Sequence, residues 1–225
     1  MDQALISLMA ASTAFVGSHF AMSHPLRAPM VRVLGDKGFM GVYSLVSIFA
    51  LFWMDRAFRA APAADGPGAG AAGWAAASVL TLLALVLILG SLKGNPALPD
   101  PTGRPAIPAE VRGVFLVTRH PMMWGIALWA IAHGLLVWSM RSLIVSVAIL
   151  VLALLGAHLQ DRKKQALLGA DWQGWVARTS YWPHWQGLAG AGPVLWLLAL
   201  AVWLAASWVH LWVAGIPAGI WFWIG

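Results

Sequence analysis

Six blocks of apolar residues, each near twenty long, run through the chain: about Leu5 to Met22, Phe39 to Phe58, Trp74 to Leu92, Met122 to Trp138, Ser142 to Gln160 and Pro193 to Ala214. About 20 helical residues cover the ~30 Å hydrocarbon core of a bilayer. Inside that core each backbone N–H and C=O needs a partner within the protein, so only helices and closed barrels cross it. Long unbroken apolar runs read as spanning helices. The expected fold class is therefore all-α, a polytopic transmembrane helical bundle of about six spans. Charged residues make up only 10% of the chain, against about 25% in a soluble domain. The fifteen tryptophans suit membrane–water interfaces.

Residues 1–225 read as one membrane domain with no internal repeat. Asp2, without a basic flank, makes the first block a retained span rather than a signal peptide. Pro62 to Gly73 is a Gly/Ala/Pro linker. Gly94 to Pro108 holds five prolines and is not a regular helix. After the sixth span, Gly215 and Pro217 break the helix, and "AGIWFWIG" ends the chain as an interfacial tail.

The cations gather on alternate loops. With the N-terminus outside, the inner loops hold Arg27, Arg32, Lys37, Lys93, Arg104, Arg112, Arg119, Arg162, Lys163, Lys164 and Arg178. The outer loops hold Arg56, Arg59 and Arg141, a split of eleven to three. The positive-inside rule then predicts an N-out, C-out topology. It also accounts for the basic balance, so the expected partner is the lipid bilayer and not nucleic acid. The absence of cysteine excludes disulfides, thiolate metal sites and cysteine nucleophiles.

Polar side chains inside spans are costly and face the bundle interior. His19, His133, His158 and His210 fall in the first, fourth, fifth and sixth spans, while His24, His120 and His184 lie at span mouths or in loops. Each histidine alone has a structural reading, a hydrogen bond between helices. Several on different helices point to a shared metal or haem, because neutral imidazole is the commonest protein metal ligand. With no Asp or Glu in mid-span, haem suits the donor set better than a bare ion. His133 lies ~16 Å into its helix, at 1.5 Å per residue. By depth alone His158 pairs better with His19, and His120 is a further alternate.

The fourth span opens on "VTRHPMMWGIALWAIAH". Pro121 suits the first turn of a helix, where its missing N–H costs nothing. Arg119 and His120 then sit beside a helix N-terminus, which attracts anions such as a propionate, phosphate or carboxylate. Arg27 and Arg32 are also placed to hold propionates, Arg32 more simply as a topology signal. Gly125 allows another helix or a flat cofactor to approach closely. In the fifth span, His158 and Asp161 share a helix face, with Asp161 placed to orient the imidazole. The segment "DWQGWVARTSYWP" reads as an amphipathic stretch on the inner membrane surface.

Together "GSHFAMSHPLR", "GVYSLVS", "VTRHPMMWGIALWAIAH" and "LGAHLQDRKKQALLGADWQGWVARTSYWP" resemble the NnrU family of bacterial membrane proteins, over His19 to about Pro183. The resemblance implies a multi-span protein of the bacterial inner (cytoplasmic) membrane, associated with denitrification and the reduction of nitrite and nitric oxide. That family is similar to plant zeta-carotene isomerase, a membrane enzyme whose haem b is held by histidines. The matching motif positions are His19 and His133, which the resemblance makes the ligands of the haem iron. A more distant likeness, Arg-His-Pro-x-x-x-Gly before a charged helix end, is to isoprenylcysteine and phospholipid methyltransferases. Those hold S-adenosylmethionine with a downstream glutamate pair, where this chain has Gln160-Asp-Arg-Lys-Lys-Gln165.

Three functions follow in order. The first is a haem-b membrane protein, redox-active or gas-responsive, or isomerase-like. The second is an S-adenosylmethionine-dependent membrane methyltransferase. The third is a non-catalytic factor that supports a membrane reductase or redox partner. The cofactor-binding candidates are His19, His133, His120, His158, Arg119 and Arg27.

Overall fold

The structure is a computed structural model that describes residues 2–63, 68–98 and 107–224. Arg104 and most of the proline-rich segment lie outside the described residues, as does part of the Gly/Ala/Pro linker. The described residues form helices α1 (Gln3–Ser23), α2 (Arg27–Ala60), α3 (Gly70–Gly90), α4 (Pro121–Leu136), α5 (Met140–Leu168), α6 (Ala170–Arg178), α7 (Pro193–Ala214) and α8 (Trp221–Ile224). Two 3-10 turns, Gly113–Leu116 and Trp185–Ala191, are added to these, and no strand occurs among the described residues.

Five helices, α1, α2, α3, α5 and α7, are long and apolar enough to cross a membrane. The chain is thus the polytopic helical bundle expected from its apolar blocks. The fourth block is the exception in length. It forms a 16-residue helix, about 24 Å at 1.5 Å per residue, shorter than the ~30 Å core. Pro121 begins it, and the chain leaves helical geometry at Val137 before α5 starts at Met140. Large apolar side chains such as Phe49, Phe52, Leu197 and Trp212 are exposed. In a span, such surfaces face lipid.

The chain divides into two compact units. The first is Met1–Gly68 with Val137–Leu152. Its core joins Leu8, Ala11 and Phe15 of α1 to Ala50, Met54 and Ala57 of α2, with Ile144, Val145, Ile149 and Leu152 of α5 against them. α2 is interrupted at Gly35, whose φ of 69° lies in the left-handed region that glycine enters without strain. The helix beyond it carries the expected second span. Arg141 donates to the carbonyls of Phe58 and Ala61 at 3.5 and 3.1 Å, serving backbone acceptors that the end of α2 leaves open. Arg27, a candidate for a propionate, lies 5.1 Å over the ring of Phe39.

The second unit is Ala69–Leu136 with Ala153–Gly225. Within it α3 packs against both α4 and α7. At Gly125 α4 comes close to α3. A Cβ there would lie 2.7 Å from the carbonyl oxygen of Ala84 and 2.6 Å from Ile88. The close approach expected at this glycine is therefore made by a helix. α6 departs from expectation. Its Trp172 and Trp175 are buried within the protein, with Trp175 edge-on to Phe115, while Trp182 beyond it is exposed. The tail packs back on the same unit: Phe222 stacks on Trp74, and the Trp221 indole donates to Ser207.

Candidate functional site

The stretch before α4 is sutured to the stretch after α6. The Arg119 N–H donates to the Ser180 carbonyl and the His184 N–H to the Val117 carbonyl, both at 2.8 Å. The buried Thr118 hydroxyl donates to the Tyr181 carbonyl at 2.8 Å. It also accepts from the His120 N–H at 3.2 Å. The Trp124 indole donates to the Tyr181 carbonyl at 2.9 Å. Tyr181 in turn donates its hydroxyl to the Leu154 carbonyl of α5 at 2.7 Å. Backbone polar groups without partners are expensive once buried, so these bonds fix where α4 begins.

Asp161 closes the arrangement. Its carboxylate accepts from Arg119 Nε and Nη2, the closest approach being 2.6 Å, and from His120 Nε2 at 2.8 Å. The Arg119 side chain is 11% exposed and that of Asp161 17%, while the imidazole of His120 is fully buried. A carboxylate only accepts, so His120 Nε2 carries the proton of that bond. The other nitrogen, Nδ1, is buried with no partner among the described residues. The Tyr181 ring lies against both side chains, 5.5 Å under the guanidinium and edge-on to the imidazole.

Asp161 lies past the apolar run of α5, which ends at Leu159. Burial opposes its ionisation, but the hydrogen bonds and charges of His120 and Arg119 outweigh that and hold it below the ordinary carboxylate value. Burial raises the Tyr181 phenol; the Asp161 charge adds to the rise and that of Arg119 offsets it. The Arg-His-Pro motif is thus a packed ionic latch. Arg119, expected to face an anion at the mouth of α4, has one from its own chain.

The histidines fall into separate settings. Asp161, expected to orient His158, is turned to Arg119 and His120, and His158 is exposed. In the first unit His19 Nδ1 donates to the Phe15 carbonyl at 2.7 Å. In the second, His133 Nδ1 donates to the Trp129 carbonyl at 2.8 Å. A carbonyl cannot donate, so in each case Nδ1 bears a hydrogen, and in the neutral ring Nε2 is the nitrogen with the lone pair. The rings are also held: His133 is tilted over Trp129 with centroids 4.1 Å apart, and His19 lies between Phe15 and Tyr43. The Ser47 hydroxyl is 3.4 Å from His19 Nε2, but its proton goes to the Tyr43 carbonyl at 2.8 Å.

The family model for the NnrU protein matches residues 7–218. The chain belongs to the NnrU family. No curated protein and no solved structure matches it. The family match takes in the latch, His19, His133 and His210. Of these, the structure sets His120 with Arg119 and Asp161, and His133 beside His210 of α7, with ring centroids 6.2 Å apart. Sequence spacing did not indicate that last pair, nor the part played by Thr118 and Tyr181 in the latch. Those residues meet across 63 positions of chain, and no helical period links them.

Proposed function

We propose that this NnrU-family protein binds haem b through Nε2 of His133, as a redox-active or gas-responsive component of the bacterial inner membrane that serves nitrite and nitric oxide reduction. The observation that carries the reading is the Nδ1 tether to the Trp129 carbonyl. It selects the tautomer whose outward nitrogen is a lone pair, the form that binds iron, and a carbonyl partner at the other nitrogen is the usual support of a metal-bound imidazole. His19 carries the same tether to Phe15 within the first unit and is the other histidine that the family resemblance singles out. A haem iron needs only two imidazoles from the protein, which suits a chain with histidines in its spans.

When bound, the haem would supply one-electron transfer or reversible gas binding. The residues around it do the rest. Trp129 restricts the His133 ring by contact. The Arg119–Asp161–His120 latch fixes the start of the helix that carries His133. Arg119 and His120 already meet Asp161, so the geometry lends no added support to an S-adenosylmethionine site at Arg-His-Pro. The test is the absorption spectrum of the detergent-purified protein made with ample haem. A Soret band of b-type haem, lost in His133→Ala, supports the reading. A colourless wild-type protein overturns it, and its co-purification with a reductase would then favour a supporting factor.

A further inference from the structure

α4 and α7 both pack on α3, and each brings one histidine to the same place in the second unit. The rings of His133 and His210 have centroids 6.2 Å apart and planes 30° from parallel. Metal–imidazole bonds of about 2.0–2.1 Å place the centroids of two rings that share one ion up to roughly 6.3 Å apart. The observed separation is within reach of a single metal centre.

Nδ1 of His210 is buried without a partner among the described residues, so no neighbouring helix takes up that nitrogen. His133 faces it with Nδ1 already held by Trp129 and Nε2 left as a lone pair. No third His, Asp or Glu joins them in a metal-ligating group among the described residues. Two imidazoles alone leave a bare ion under-coordinated, whereas haem iron brings four porphyrin nitrogens of its own.

We propose that His210 is the second axial ligand of the iron that His133 holds, in place of His19. This rests on the haem reading of His133. It makes α4 and α7 the two jaws of the site, and both come from one compact unit. His19 is then a helix-packing residue of the first unit, tied to Phe15 and set against Tyr43.

The test uses the full-length protein loaded with haem, read by absorption and electron paramagnetic resonance. His210→Ala should keep haem but turn from low spin to high spin, and added imidazole should restore low spin. His210→Met guards against a variant that fails to fold, and should show the charge-transfer band of iron with a methionine sulfur ligand. His19→Ala should keep the wild-type spectrum. A low-spin, wild-type spectrum in His210→Ala overturns the proposal, as does a shift to high spin in His19→Ala. A wild-type protein that takes up no haem sinks the haem reading itself. Haem that stays with wild type and leaves with His133→Ala keeps that reading, whatever His210 does.

Discussion

Arg119 and Asp161, 42 positions apart in the chain, meet in a two-pronged ion pair, Nη2 to Oδ2 at 2.6 Å and Nε to Oδ1 at 3.0 Å. The fork of the guanidinium matches a carboxylate, which makes such pairs directional as well as strong. It is mostly buried, so neither partner has water to fall back on. Breaking a buried pair by removing one member costs about 3–5 kcal/mol, because the other charge is stranded. Asp161→Asn and Arg119→Ala should each lower the thermal midpoint of the detergent-solubilised protein by several degrees. The double variant should lose less than the two single losses added together. Independent, additive losses would show that the residues do not act as a pair.

The same carboxylate sets an acid limit. Asp161 has its folded pKa held below the ordinary 3.8. A depressed carboxylate adds stability that is present above its unfolded pKa and is lost as pH falls through the folded value. Wild type should therefore stay level near neutrality and lose stability below about pH 4. Asp161→Asn should be less stable at neutral pH and flatter across the acid range. Chemical unfolding followed by tryptophan fluorescence at stepped pH measures this, and equal acid limbs in the two proteins would remove Asp161 as the cause.

Gly125 is required by contact rather than by backbone freedom. The Cβ of an alanine would press on the Ala84 carbonyl oxygen, which belongs to helix backbone and cannot swing aside. Overpacking of this kind costs about 1–3 kcal/mol. Gly125→Ala should lower the thermal midpoint, and Gly125→Leu should abolish folded protein on size exclusion. Wild-type behaviour of Gly125→Leu would mean that α3 and α4 do not pack as described.

The apolar blocks made the helices legible, because length and hydropathy alone decide what crosses a bilayer. The spacing of "RHP" before an apolar run also placed the start of α4. Asp161 was misread in its partner: helical spacing ties it to His158 three positions earlier, but its carboxylate turns to a segment 42 positions earlier. The buried side of Trp172 and Trp175 was hidden for a similar reason. An amphipathic helix looks the same in sequence whether its apolar face meets lipid or protein. His210 beside His133 depends on how two spans pack, which no local period encodes.

Orientation rests on the loop cations, eleven against three. A periplasmic-type reporter fused after Gly225 should be active, and one that works only in the cytoplasm should be silent. Arg141 serves backbone carbonyls at the end of α2, so moving charge to the outer loops should be done at other positions. Activity of the cytoplasmic reporter alone would reverse the orientation or change the number of crossings.

The central claim is that His133 presents Nε2 to a haem iron, and the most direct measurement is the haem content of wild type and His133→Ala, purified side by side. The pyridine haemochrome assay identifies b-type haem and counts it per chain. The account predicts close to one haem per wild-type chain and little or none in His133→Ala, with both proteins folded by circular dichroism. Equal haem in the two proteins, or none in either, would contradict it.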